Sequence, residues 1–177
     1  MIRLDKQAIR TTLIQQRKML SKTAIETKSN QIMKQLIPYL KDYKCIAIYM
    51  PCNGEVDLSP LLTLDHKFYI PKVEKTEMNF YEYHQDQLIE SSFHILEPTN
   101  HHKIKKEQID CMIVPLVAFD SNKNRIGYGK GYYDRYLQTH TFKTIGVAYD
   151  FQRVEQIEPD PFDKKLDKII TEIKIYE

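Results

Sequence analysis

The run Arg125-Ile126-Gly127-Tyr128-Gly129-Lys130-Gly131-Tyr132-Tyr133-Asp134-Arg135 holds the residue types in this chain best suited to chemistry. Three glycines at alternate positions let the backbone turn tightly and bring N–H groups close to a ligand. Arg125 and Lys130 add full positive charges. A helix starting near Gly131 would aim the positive end of its dipole at the same place. This combination suits the phosphates of a nucleotide. Asp134 falls in the first turn of that helix, where it can hold a magnesium ion against phosphate oxygens, since Mg2+ favours one or two carboxylates plus phosphate; it is equally an acid placed to suit the helix dipole. The spacing matches neither common phosphate loop. No G-x-x-x-x-G-K-[ST] is present, and the third glycine comes one residue early for G-x-G-x-x-G. The glycines alone read equally well as a tight turn before a helix. The charges around them favour phosphate binding.

The elements around this run must position it. Ile2, Ile9, Leu13, Gln16 and Leu20 recur at helical spacing, so an amphipathic helix is expected from about Leu4 to Leu20, with Lys6, Arg10, Arg17 and Lys18 on its other faces. Thr23-Ala24-Ile25-Glu26 reads as a capping box opening a second helix, which Pro38 should end or kink near Ile37. Apolar runs at Cys45–Met50, Lys67–Ile70, Asn79–Tyr83, Asp110–Val114, Thr144–Tyr149 and Lys168–Thr171 read as strands, three of them stopped by Pro51 with the turn Asn53-Gly54, by Pro71 and by Pro115. Ser59-Pro60 reads as a cap and first helical residue of a short helix running to about Leu64. A further helix should follow Gly131 and end near His140. The polar stretch from Glu97 to Gln108, with His101-His102-Lys103, reads as a solvated loop and short helix rather than a metal site. Strands alternating with helices imply an α/β fold: one domain over residues 1–177, a three-layer sandwich with a mostly parallel central sheet and helices on both faces.

Composition narrows the function classes. A chain of 177 residues with 42% hydrophobic and 28% charged residues is ordinary globular stock, which excludes disordered, collagen-like and coiled-coil chains. The excess of 26 basic over 24 acidic residues is too small to argue for nucleic acid or an anionic membrane. No apolar run approaches the ~20 residues of a membrane helix, and the first residues carry no secretory h-region. Cys45, Cys52 and Cys111 fit neither a C-x-x-C pair nor a zinc knuckle, so a reducing cytoplasm is the expected setting.

The segment from Asp110 to Leu137 resembles the 5-formyltetrahydrofolate cyclo-ligases, also called methenyltetrahydrofolate synthetases. Their signature, D-x-x-[IV]-[IV]-P-x-[VL]-A-F-D followed by R-[LI]-G-x-G-[KG]-G-[YF]-Y-D-R-x-L, stands here at Asp110–Asp120 and Arg125–Leu137. The likeness extends in order to Lys6-x-x-x-Arg10, Tyr49-Met50-Pro51, Gly54-Glu55-Val56-Asp57, Ile70-Pro71-Lys72-Val73, Glu97-Pro98 and Asp167 before Ile169-Ile170-Thr171-Glu172. Leu58, His94 and Leu116 depart from the family pattern, His94 and Leu116 where glycine is usual.

The resemblance implies ATP-driven cyclisation of 5-formyltetrahydrofolate, with or without a polyglutamate tail, to 5,10-methenyltetrahydrofolate. It implies an ATP site at Lys6, Arg10, Arg125, Ile126, Gly127, Tyr128, Gly129, Lys130, Gly131, Tyr132 and Tyr133, with Arg125 and Lys130 as catalytic residues. It implies Mg2+ at Asp134 and Asp167. It implies a folate pocket of Met50, Glu55 and the residues from Tyr128 to Tyr132, and a cytoplasmic monomer with no nucleic-acid or membrane partner. Two other readings remain. A small-molecule kinase using the same loop would differ by a hydroxyl-bearing second substrate. A binding module for RNA or protein would use the basic first helix and the tyrosine cluster.

Overall fold

The computed structural model describes residues 5–177. Asp5 caps the first helix, α1 (Lys6–Lys18), by accepting from Gln7 N; the expected start at Leu4 lies outside the described residues. The second helix, α2 (Lys22–Leu40), starts two residues earlier than the capping box predicts. Ser21, not Thr23, is the cap: its Oγ accepts from Ala24 N at 3.1 Å. Pro38 does not end α2, which runs on to Leu40. Pro38 is exposed and lies two residues before the helix end, so its missing N–H interrupts only the last turn.

The chain then gives β1 (Cys45–Ala47), a 3-10 turn at Ser59–Thr63, and β2 (Lys67–Glu74). Leu58 holds the capping position of that turn and Ser59 caps nothing; instead its N–H donates to Asp57 Oδ1 at 2.9 Å. Nor does Pro71 stop β2. The parallel ladder with β1 ends at Tyr69, and beyond it β2 pairs antiparallel with β3 (Glu77–Glu82), so Pro71 falls where β1 asks nothing of its missing N–H. A small hairpin of β4 (Leu88–Glu90) and β5 (Leu96–Pro98) follows. His94, at its turn, has φ +56°, the left-handed region where glycine is at ease. After it come β6 (Cys111–Pro115), the short antiparallel pair β7 (Ala118–Phe119) and β8 (Arg125–Ile126), α3 (Tyr132–Tyr136), β9 (Lys143–Val147), β10 (Lys168–Ile170) and β11 (Ile175–Tyr176). The helix expected as far as His140 is shorter, its last residues forming a 3-10 turn at Leu137–Thr139.

Seven strands form one sheet in the order β11-β10-β9-β6-β1-β2-β3. Its centre is parallel and only the two edge pairs are antiparallel. Every residue of β6 is buried, as a central parallel strand requires. Alternation along the strands feeds two cores. Ile46, Ile113, Ile145 and Ile170 face Ile32, Met33 and Leu36 of α2. Ala47, Met112, Val114 and Ile169 face Leu137 and Phe142 behind α3. The expected mostly parallel sheet with helices on both faces is therefore observed. Leu13 of α1 seals a third cluster with Val117, Ala118, Ile126 and Ile157, which seats α1 beside the glycine run. Among the described residues no helix is long and apolar enough to cross a membrane.

Candidate active site

The turn between β7 and β8 is tied by one buried carboxylate. Asp120 is fully buried and accepts from Asn122 N, Asn124 N, Asn124 Nδ2 and Ile157 N at 2.9–3.0 Å. Such charge-assisted bonds are short and strong. They hold Arg125 at the mouth of the glycine loop, where it is only 6% exposed. Its Nη2 donates to Asp134 Oδ1 at 2.6 Å, and its Nε is buried with no hydrogen-bond partner among the described residues. A buried guanidinium donor left unpaired is costly unless a ligand meets it. Burial pulls the Arg125 pKa down, while Asp134 opposes that shift.

Around Arg125 lies a basin of about 170 Å3 lined by Lys6, Arg10, Arg125, Ile126, Gly127, Gly129, Gly131, Asp134, Asp160 and Asp163. Helix α1 supplies two of its cations. Arg10 Nε donates to Gly127 O at 2.8 Å, and Lys6 Nζ bridges Asp160 Oδ2 at 2.7 Å and Asp163 Oδ2 at 2.8 Å. Gly129 has φ +93°, and a Cβ there would stand 3.4 Å from Arg10 Cζ. Glycine is required both by the backbone angle and by the closeness of Arg10. Three cations and three carboxylates thus share one small polar basin. Phosphate oxygens would engage the cations, and the carboxylates are hard oxygen ligands of the kind Mg2+ takes. These residues fit a nucleotide's phosphates with their metal.

On the other side of the loop, Tyr128 turns inward. Its hydroxyl donates to Glu55 Oε1 at 2.8 Å and accepts from Arg17 Nη2. Glu55 is 6% exposed, and its Oε2 accepts from Cys52 N at 2.9 Å. Burial raises the Glu55 pKa, with Arg17 and the hydrogen bonds opposing. The same burial, with Glu55 beside it, pushes the Cys52 thiol up to about 12. Arg17 is fully buried; its Nε and Nη1 donate to Asn53 O and Leu116 O, both at 3.2 Å. This cluster lies beyond the carboxyl ends of β6 and β9, the usual place for ligands on an open parallel sheet.

Most of the expected site residues converge here: Lys6, Arg10, Arg125, Ile126, Gly127, Gly129, Gly131 and Asp134 on the basin, Glu55 and Tyr128 in the cluster beside it. Met50 is buried in the core that Tyr49 and Val56 share. The ring of Tyr133 lies under the Arg125 guanidinium, and that of Tyr132 under Arg135. Lys130 points elsewhere. It is exposed, and its ammonium sits 4.1 Å from the centre of the Phe93 ring on the β4–β5 turn. Asp167 is not brought to the basin either. Its Oδ2 accepts from Thr144 N and Oγ1 at 2.8 and 2.9 Å, which ties the starts of β9 and β10 together at the other end of the sheet.

Sequence reasoning missed Arg17 and the pair Asp160 and Asp163. A signal for Arg17 existed. Lys6, Arg10, Leu13 and Arg17 follow one another at steps of four, three and four, so all lie on one face of α1 with a buried leucine among them. The two aspartates sit in a Pro-rich stretch, and nothing local links them to Lys6.

Residues 3–172 match the family model of the 5-formyltetrahydrofolate cyclo-ligase family. The chain belongs to this family. A 5-formyltetrahydrofolate cyclo-ligase of Mycoplasma pneumoniae is 34% identical over 174 residues, covering 96% of this chain and 99% of that protein. The solved structure of Aquifex aeolicus 5,10-methenyltetrahydrofolate synthetase superposes with a TM-score of 0.88 at 34% identity, covering 97% of this chain and 92% of that one. A 5,10-methenyltetrahydrofolate synthetase structure from Mycoplasma pneumoniae gives 0.78 at 33% identity, over 96% and 99%. The loop lines the cationic basin with its glycines and reaches the buried Glu55 with Tyr128.

Proposed function

We propose that this chain catalyses the ATP-dependent cyclisation of 5-formyltetrahydrofolate to 5,10-methenyltetrahydrofolate, releasing ADP and phosphate. One observation carries the reading. The Arg125–Tyr128 segment lines the cationic basin at Arg125 and Gly127 and, at Tyr128, bonds the buried Glu55. A nucleotide's terminal phosphate and a folate's reacting end would meet across that loop.

The chemistry needs no enzyme nucleophile. A formamide carbon is a poor electrophile because the nitrogen lone pair is delocalised into its carbonyl. Transfer of the γ-phosphoryl group to the formyl oxygen breaks the bond to ADP and converts that oxygen into a leaving group. N-10 of the same folate then attacks the formyl carbon, loses its proton, and phosphate departs as the ring closes. The protein's task is in-line positioning and stabilisation of spread negative charge. Arg125, with its unpaired Nε, and the N–H groups of the glycine loop face the transferring phosphoryl group. Lys6 and Arg10 hold the remaining phosphates. Lys130, exposed on a flexible stem, swings from Phe93 to join them. Glu55, as carboxylate, accepts from the pterin's N–H donors, and Met50 packs beside the ring. Mg2+, when bound, neutralises phosphate charge, and Asp134 is its protein ligand in this reading, with Asp160 and Asp163 on the same basin. Asp167, expected as a second ligand, keeps its bonds to Thr144.

In the same reading the enzyme is a single-domain monomer of the cytoplasm that takes folates with or without a polyglutamate tail and binds neither nucleic acid nor membrane. Its three free thiols support a reducing compartment. The test is direct. Purified protein mixed with 5-formyltetrahydrofolate, ATP and Mg2+ should develop the near-ultraviolet absorbance of methenyltetrahydrofolate, one ADP per product. ADP formation dependent on a hydroxyl-bearing acceptor and independent of folate would favour a kinase instead.

A further inference from the structure

At the opposite end of the sheet from the glycine loop, two imidazoles and a carboxylate come together on an edge strand. Glu82 closes β3, His84 follows two residues later, and His102 arrives from the segment after β5. Glu82 Oε2 lies 3.5 Å from His84 Nε2 and 3.6 Å from His102 Nδ1, and one donor atom from each of the three residues lies within 4.8 Å of the others. Those separations are long for hydrogen bonds. They are close to the donor-to-donor edge of a tetrahedral site, which is about 3.3–3.4 Å for metal–ligand bonds of about 2.0–2.1 Å.

Backbone contacts already hold the three residues in place. Glu82 N donates to His102 O at 3.0 Å, and Asn100 Nδ2 donates to Glu82 O at 2.8 Å. Lys103 forms a bridge with Tyr81, and Ile104 N donates to Phe80 O at 3.0 Å. The segment carrying His102 is therefore laid along the outer edge of β3. The two imidazoles are 39% and 69% exposed, so an ion can enter and keep a water in the fourth position.

We propose that Glu82, His84 and His102 bind a first-row transition dication of the Zn2+ kind. Two imidazoles with one carboxylate suit zinc, whereas Mg2+ and Ca2+ seek oxygen ligands alone. The site is separate from the nucleotide basin. A bound ion would add a side-chain staple to the backbone bonds that already lay the 100–104 segment along the edge of β3.

Isothermal titration of untagged, metal-free protein with ZnCl2, without nucleotide and above the histidine titration range, tests this. The parent should take up one equivalent that His84→Ala and His102→Ala each weaken more than ~10-fold. His101→Ala, on the neighbouring exposed residue, should leave it unchanged, and millimolar Mg2+ should not compete. Zinc should raise the parent's melting temperature and leave that of the His84→Ala/His102→Ala double variant where it was. Thermal melts of the metal-free variants should match the parent, since both side chains face solvent. No zinc uptake, or uptake equal in the parent and both single variants, overturns the proposal.

Discussion

Tyr128 donates its hydroxyl proton to Glu55 Oε1 at 2.8 Å across 73 residues of chain. The phenol therefore fills the acceptor that a pterin's N–H groups would use, and it sits on the same loop as the glycines of the phosphate basin. A ligand that bonds Glu55 would share the carboxylate with Tyr128 and so meet the loop directly. In the proposed reading, folate and nucleotide would touch the same stretch of backbone, at Tyr128 and at the glycines.

Glu55→Gln keeps the side chain's size and removes its charge. A hydrogen bond to a charged group contributes about 1.5–3 kcal/mol, so the KM for 5-formyltetrahydrofolate should rise roughly 10- to 150-fold. The KM for ATP should rise much less, since Glu55 reaches the phosphate basin only through Tyr128. Steady-state kinetics with each substrate varied in turn separates the two; an equal rise in both constants would contradict the assignment.

The raised pKa of Glu55 has a pH consequence with a definite sign. Burial favours the protonated acid, and only the carboxylate accepts two pterin N–H donors. Folate kcat/KM should therefore fall on acidification with a midpoint above the ~4.3 of a free glutamate. Because the folded-state pKa is raised, ionising Glu55 costs stability as pH climbs through the window between the unfolded and folded values, and the loss levels off above it. A kcat/KM profile of Glu55→Gln lacking this acid limb would identify the group.

Arg125→Ala and Lys130→Ala should each lower kcat by about 100- to 1,000-fold, the loss of ~2.7–4 kcal/mol typical of one preorganised donor. Their folding should differ. Lys130 is exposed, so Lys130→Ala should melt like the parent. Arg125→Ala strips Asp134 of its 2.6 Å partner and should melt lower. Parent-like turnover in both variants would remove the glycine loop from the mechanism.

Gly129→Ala combines a φ of +93° with a Cβ 3.4 Å from Arg10 Cζ. Strain of this kind costs about 1–3 kcal/mol. The KM for ATP should rise more than the KM for folate, because the displaced group, Arg10, belongs to the phosphate side. Nucleotide binding followed by calorimetry checks it.

Asp120→Asn weakens four bonds at once inside the core. A loss of about 3 kcal/mol is expected, equivalent to roughly 6–12 °C in melting temperature for a chain of this size. Differential scanning calorimetry measures it, and activity should fall in step because the same turn seats Arg125.

The chain's local pattern determined six of the seven strands of the central sheet, its layered α/β class and its glycine loop, but not β11 or the short pairs β4–β5 and β7–β8. A short apolar run such as Cys111–Val114, closed by Pro115, suits the middle of a parallel sheet, and alternate glycines among cations need no distant partner to be conspicuous. The family signature between Asp110 and Leu137 is legible for the same reason. Tertiary structure alone decided the fate of the charged side chains. Arg17, read as one of the charges on the polar faces of α1, is buried because Asn53, Leu116 and Tyr128 bring it acceptors from three other segments. Lys6 finds Asp160 and Asp163 more than 150 residues away. Asp167, one strand start from Thr144, is drawn to the far end of the sheet. Hydrophobic periodicity is written within a few residues, whereas a charge is buried or exposed according to which polar groups other elements deliver, and that follows only from how those elements pack.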